Sequence, residues 1–183
     1  MTHYQIDSKN SQFFVYTGTA GAFGAFGHKH KIAIPEISGE LSFDPKDPSR
    51  SSLHLKVASN SLTLVADSKR EEKDKAEIEA TMREKVLEVA KFPEVELIST
   101  SISATTVGEG SFDAEIHGDL KLHGVTRNIP IQAKVSLGQN SLNATGEFSL
   151  KQTDYQIQPV KAAGGAVKVK DEVRLSFNLV GHS

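Results

Sequence analysis

The chain contains no cysteine and no tryptophan among its 183 residues, and only two methionines. Without thiols it forms no disulfide framework, no thiolate metal centre and no cysteine nucleophile, which removes several enzyme classes at once. An excess of one charge is missing as well: 21 Lys and Arg against 23 Asp and Glu leave a formal net charge of -2. That balance offers no basic field to a nucleic-acid backbone and no polybasic stripe to an anionic bilayer, so neither nucleic acid nor stable membrane insertion is expected. No apolar run approaches a membrane span, and the start MTHYQIDSKNSQFF has neither the basic nor the apolar region of a secretory leader. As written, the chain reads as a cytoplasmic, soluble protein, a single domain over 1–183 with length enough for a core that needs no staples.

Catalytic signatures are equally scarce. There is no GxSxG elbow, Ser, His and Asp are scattered over polar strand faces and turns, and Glu71 and Glu72 sit on a solvated helical pattern where nothing raises a carboxyl pKa. No catalytic residue and no cofactor is implied, and the expectation is a protein that is not an enzyme. The glycine-rich stretch GTAGAFGAFG, with Gly18, Gly21, Gly24 and Gly27 at every third position, is followed by a strand pattern instead of a helix, so a dinucleotide fingerprint fails on context. His28 and His30 lie two apart and share one side in extended chain, a geometry that would suit paired metal ligands if a third ligand converged.

What the chain has in abundance is strict alternation. IHGDLKLHGVTRNIPIQAKVSL, residues 116 to 137, places Ile116, Leu120 and Leu122 on one face of a first run and Ile129, Ile131, Ala133, Val135 and Leu137 on one face of a second, joined by a Gly-containing turn. By the same alternation His54, His117 and His123 belong to outward faces. Eight such strands are predicted: Ser11 to Gly18, Glu36 to Asp44, Ser51 to Ala58, Glu94 to Ala104, Phe112 to Leu122, Arg127 to Leu137, Leu142 to Lys151 and Asp171 to Val180. Eight strands with one greasy face each must fold over or close on themselves, and an eight-stranded barrel is just wide enough to be filled by side chains or to hold one small ligand.

Between the third and fourth of these strands, Ser68 to Ala90 carries the long helical pattern. Ser68 and Glu71 have capping-box spacing, Glu71 with Lys75 and Glu79 with Arg83 are i,i+4 pairs, and Ile78, Met82, Val86 and Val89 form an apolar stripe. Such a helix is expected to lie across an open barrel end, with Pro93 marking where the next strand begins.

Taken in order, YQID, ISGELSFDPKDP, VASNSLTL before the charged helix, EKVLEVAKFPEVELISTSI, IHGDLKLHGVTRNIPIQAKV and the closing FSLKQTDYQI to VRLSFNLVG resemble the YceI-like family over nearly the full length. The GDLKLHGVTR and FPEVELISTS segments together are the specific pair. The resemblance implies a mainly β protein, an extended eight-stranded antiparallel β-barrel of lipocalin-like type with one amphipathic α-helix. It further implies a lumen that takes a polyisoprenoid of quinone or prenyl-phosphate type, or another long-chain amphiphilic lipid, for storage or transport. Dimers and periplasmic members occur in that family, so a homodimer and export come into view. A family histidine near the end of the first strand is missing here, where the chain reads VYTGTAG.

The residues expected to line the lumen are Phe13, Val15, Leu41, Phe43, Leu53, Leu55, Val57, Leu97, Leu120, Leu122, Ile129, Ile131, Phe148, Leu150, Leu175 and Phe177. Phe23 and Phe26 are expected at the ligand entrance, because passage through a continuously hydrogen-bonded wall would break ladder bonds while glycines allow a loop to open. Two alternatives stand beside this: a metal site at the barrel rim built on His28 and His30, with an enzymatic or binding role, and a solid barrel serving as a protein-interaction module.

Overall fold

The computed structural model of the chain describes residues 1–22 and 29–183. In chain order its strands are β1 (Thr2–Ile6), β2 (Gln12–Tyr16), β3 (Thr19–Ala20), β4 (Lys31–Ala33), β5 (Ile37–Phe43), β6 (Ser52–Ala58) and β7 (Thr63–Val65). After α1 (Lys69–Thr81) come β8 (Glu94–Gly108), β9 (Ser111–Leu122), β10 (Val125–Leu137), β11 (Ser141–Lys151), β12 (Lys161–Ala162), β13 (Val167–Val169) and β14 (Glu172–His182). Among the described residues eight of these strands close an antiparallel barrel in the order β1-β5-β6-β8-β9-β10-β11-β14, and Gln5 opposite His182 with Ile6 opposite Gly181 shuts the ring. Closure follows from the alternation: every strand has a face that water rejects, and a ring hides all eight faces at once while leaving few open edges.

All eight predicted runs form strands, but the ring place of the first is shared. β1 and β2 run in succession along the same edge of β14, which pairs with β1 at its end and with β2 over Arg174 to Asn178. Between them the Asp7 carboxylate accepts from the backbone N–H groups of Lys9 and Asn10 at 3.0 and 3.2 Å, a tight turn that bulges out of the wall. β1 itself is five residues long and ends at that polar turn, too short for alternation alone to reveal. Past the bulge β2 pairs with β4 and β4 with β7, forming a flap at the same end of the barrel as α1.

The β9–β10 hairpin is paired from Ser111 and Ser136 up to Leu122 and Val125. His123 and Gly124 make its two-residue turn with φ of 51° and 77°, the pair of left-handed conformations that matches the strand twist. Gly124 is required twice over, since a Cβ there would lie 2.7 Å from the Phe92 ring. This turn overturns the outward placement of His123. Alternation stops where the chain reverses, and the imidazole folds in against Phe92, with Nε2 2.8 Å from the Glu88 carboxylate and Nδ1 3.1 Å from the Tyr155 carbonyl oxygen.

Ser68 caps α1 as its spacing predicts, its hydroxyl accepting from the Glu71 N–H at 3.1 Å. Glu71 does not reach Lys75, however. Its buried carboxylate accepts from the Asp67 N–H and meets His30 Nδ1, so burial is met by two directed partners that a solvated lysine could not equal. Glu79 pairs with Arg83 at 3.4 Å as expected and also accepts from the Thr63 hydroxyl and the Leu64 N–H at 2.6 and 2.8 Å, which ties α1 to β7. The helix ends earlier than the pattern suggested: Met82 to Val86 form one wider turn closed by Leu87 N–H to Met82 O, and Glu88, at φ 45°, reverses the chain.

The two carboxylates that moor α1 predict an acid-labile lid. Burial works to raise Glu71, yet the Asp67 N–H and His30 outweigh it and hold the group below its ordinary value of 4.5. Glu79 is likewise held down against burial by Thr63, Leu64 and Arg83. A carboxyl whose folded pKa is depressed contributes stability that is complete above its unfolded pKa and drains away as pH falls through the folded value. Amide protection of α1 and β7, corrected for intrinsic exchange, should therefore fall below pH 4.5 before that of β9 and β10, and Glu79→Gln should flatten the dependence. Equal loss of protection in all four elements would show that the mooring is not the acid-sensitive part.

The barrel wall is not continuously hydrogen-bonded. The β10–β11 ladder runs from Leu137 and Leu142 only as far as Gln132 and Glu147. Beyond that point β10 continues to Val125 paired with β9 alone, and β11 continues to Lys151 paired with β14 alone. Pro130 lies on the stretch of β10 that has lost this partner, the kind of free edge where a residue without an N–H is tolerated.

The candidate ligand-binding lumen

Among the described residues the inward faces of the barrel line two cavities. The first, about 110 Å³, is lined by Phe13, Leu41, Phe43, Leu53, Leu55, Val57, Leu97, Leu120, Ile131, Phe148 and Phe177 from the sequence-derived set. Ile37, Val95, Ile102, Ala114, Ile116, Val135, Leu142, Ala144 and Leu179 complete its wall, every residue of which is apolar. The second, about 160 Å³, lies against the helix end of the barrel and takes Val15, Val57, Leu120, Leu122, Leu150 and Leu175 from the same set. Ile32, Ile34, Leu62, Met82, Val86, Leu87, Ile157, Val95 and Val173 join them, with Thr17 and Gln152 as its polar members.

Val57, Val95 and Leu120 border both cavities, so the two chambers lie end to end in the barrel with that trio as the waist between them. Ile129 packs against the core without lining either chamber. An engineered apolar cavity of roughly 150 Å³ in another protein stays dry and takes up benzene; the second cavity is of that size and the first somewhat smaller. The far end is closed by Phe43, which is 2% exposed and meets the Phe112 ring edge to face at 5.2 Å. At the near end the last turns of the helix, through Met82, Val86 and Leu87, form the roof expected of an amphipathic helix across a barrel mouth.

The residues that sequence reasoning missed fall into two groups. Ile37, Ala114, Ile116, Val135, Leu142, Ala144 and Leu179 continue the same alternation, and reading every inward position would have found them, whereas Ile102 breaks it, because a register shift between Ser99 and Ser101 moves the inward face of β8 from odd to even positions. Ile32, Ile34, Leu62 and Ile157 come from short segments with no period, and only their neighbours across the barrel place them inside. Phe23, Phe26 and His28 lie outside the described residues. His30 is described: its Nδ1 meets Glu71 at 2.5 Å and its backbone N–H donates to the Thr17 hydroxyl. Among the described residues no three His, Asp or Glu side chains gather as a metal ion would need.

Two buried polar atoms lack a partner among the described residues, Arg83 Nε and the Tyr155 hydroxyl. The Arg83 guanidinium is otherwise engaged, donating to Leu62 O and Glu79. Tyr155 is 1% exposed, and burial pushes its phenol pKa up.

A closed eight-stranded antiparallel barrel around an apolar lumen, roofed by one helix, is a lipocalin-like architecture. The chain belongs to the YceI-like family, whose sequence model matches residues 4–181. It is 30% identical over 173 residues to Protein YceI of Salmonella arizonae, covering 92% of this chain and 74% of that protein. Its fold is similar to that of BcnA from Burkholderia cenocepacia, with a TM-score of 0.73 at 16% identity over 96% of this chain and 98% of the other. It is also similar to a polyisoprenoid binding domain from Saccharophagus degradans, with a TM-score of 0.68 at 15% identity over 98% of both chains.

Proposed function

We propose that this protein binds a long-chain amphiphilic lipid of the polyisoprenoid type in its barrel lumen, holding or carrying it without transforming it. The observation that carries this reading is the inner chamber, whose lining side chains are all hydrocarbon. Such a surface gains from excluding water and has nothing with which to orient a polar substrate. At roughly 0.8 kcal/mol per buried methylene, one isoprene unit contributes on the order of 3 kcal/mol, so a few units supply useful affinity. The fold shared with a polyisoprenoid binding domain supports the same reading.

A carrier and not a catalyst is favoured by the scarcity of chemistry in the chambers, where Thr17 and Gln152 are the polar lining residues. The Thr17 hydroxyl accepts from the His30 N–H and the Gln152 amide donates to the Lys170 carbonyl, so neither is paired with a base that would activate it. Mass spectrometry of an organic extract from protein purified under native conditions should show a long-chain isoprenoid or acyl lipid in defined stoichiometry. An empty extract, together with no uptake of added farnesol or geranylgeraniol, would sink the proposal.

A further inference from the structure

The near-neutral total charge hides a segregation along the chain. No Asp or Glu occurs between Asp7 and Glu36, nor between Asp154 and Asp171, yet these two stretches carry six lysines. The fold brings them together: β3 comes from the first stretch, β12 and β13 from the second, and they form a small separate sheet in the order β12-β13-β3. Lys161 stands directly opposite Lys168, and Lys168 opposite Ala20, so both ammonium groups leave the same face. Lys170 follows at the same parity, its N–H donating to Gly18 O and its Cδ lying 2.9 Å from where a Cβ on Gly18 would be. All three lysines are exposed, and among the described residues none forms an ion pair. Asp171, the next acid, is engaged by the Thr153 N–H and hydroxyl at 2.9 and 2.7 Å. Like charges directly opposite each other destabilise a strand pair, and no carboxylate among the described residues offsets them here.

We propose that this basic sheet docks the protein on an anionic phospholipid bilayer, with the helix end of the barrel turned toward the membrane. The choice of a bilayer rests on the lipid-binding reading above, since a long-chain cargo is collected from a bilayer or delivered to one. The sheet is placed for it: its strands leave the barrel next to Thr17 and Gln152, which line the chamber at the helix end, and the Gln152 amide donates to the Lys170 carbonyl. On the adjoining wall Lys31 lies over the Phe14 ring at 3.9 Å, and Arg174, which also donates to Glu147, lies over the Tyr16 ring at 4.3 Å. Aromatic bodies with cationic tips suit a water–lipid boundary. The same cations cover those ring faces, and the sheet itself has no aromatic side chain, so single-stranded bases find no stacking platform. At the turn between β12 and β13, Gly164 and Gly165 have nothing within 4 Å of either Cβ position, so no bulk stands between the lysines and a flat surface.

The test is co-sedimentation of the full chain, with no prenol added, with vesicles of phosphatidylcholine alone or mixed with phosphatidylglycerol. The protein should bind the mixed vesicles only, and added salt should release it. Each lysine at an anionic surface contributes about fivefold in binding, so Lys161→Gln combined with Lys168→Gln should weaken it roughly thirtyfold. Lys46→Gln combined with Lys134→Gln removes the same charge from exposed positions elsewhere and should change binding little. The Lys161 and Lys168 double variant should melt no lower than the parent, because it loses a repulsion. No binding to the mixed vesicles, an equal loss in both double variants, or a lower melting temperature of the first would each overturn the docking surface. So would tighter binding of a single-stranded oligonucleotide than of the vesicles, which would give the sheet to nucleic acid. If vesicles fail to bind while farnesol is still taken up, the lumen reading stands and only the surface falls; vesicle binding without uptake of any prenol sinks the lumen reading and leaves the surface in place.

Discussion

Leu120→Trp should abolish uptake of long prenols while leaving a folded barrel. Leu120 borders both chambers, so an indole there closes the waist and confines any ligand to the outer one. Each isoprene unit excluded forfeits on the order of 3 kcal/mol, or roughly a hundredfold in affinity, and excluding the whole inner chamber removes binding from a measurable range. Overpacking a filled core would destabilise the fold by about 1 to 3 kcal/mol, whereas a side chain entering free volume is tolerated better. Ile131→Trp is the comparison, because Ile131 lines the inner chamber only. It should shift preference toward shorter prenols without abolishing binding. Isothermal titration with prenols of graded length separates the two outcomes, and unfolding of both variants would mean that the chambers do not accept added bulk.

Phe43→Ala should produce the largest loss of stability and, at the same time, a gain for longer ligands. The ring is buried at the closed end of the lumen, and its truncation removes both its own burial and the edge-to-face contact with Phe112. Phe-to-Ala changes in cores destabilise by about 3 to 5 kcal/mol. In a chain of this size that corresponds to a fall in melting temperature of roughly 10 °C. The space vacated extends the inner chamber, so the ratio of geranylgeraniol to farnesol affinity should rise even as the protein weakens. A stability loss with an unchanged ratio would show that Phe43 is packing alone and sets no limit on chain length.

The two predictions use different parts of what the chain encodes. The barrel and its inward faces are legible because a strand has period two and a barrel wall demands it over many residues. From Phe112 to Leu122 and from Ile129 to Leu137 the buried positions fall where the alternation puts them. The helix is legible for a similar reason, its cap and its stripe being local properties of a short window. Legibility ends where a segment is shorter than a period or where its partner is remote. β1 gives too few alternations to register, and its role in closing the ring depends on β14 at the other end of the chain. His123 leaves the outward pattern because a two-residue turn rotates it inward onto Phe92, Glu88 and Tyr155.

The sequence by itself determined a mainly β chain of one-sided strands with one capped amphipathic helix, because those features follow from side-chain periodicity and local capping alone, while closure into a barrel was implied only by the family resemblance. Tertiary structure decided whether the barrel is solid or hollow, since interior volume is a difference between the space enclosed by eight strands and the side chains that fill it, and no single strand contains that difference. It also decided where the wall is unpaired, because the β10–β11 ladder ends according to how two long strands diverge in space while each keeps its other partner. The unpartnered hydroxyl of Tyr155 belongs to this second kind of information. Nothing in KQTDYQIQ marks that tyrosine as buried, and only the closing of the chain over the gap takes its hydroxyl away from water.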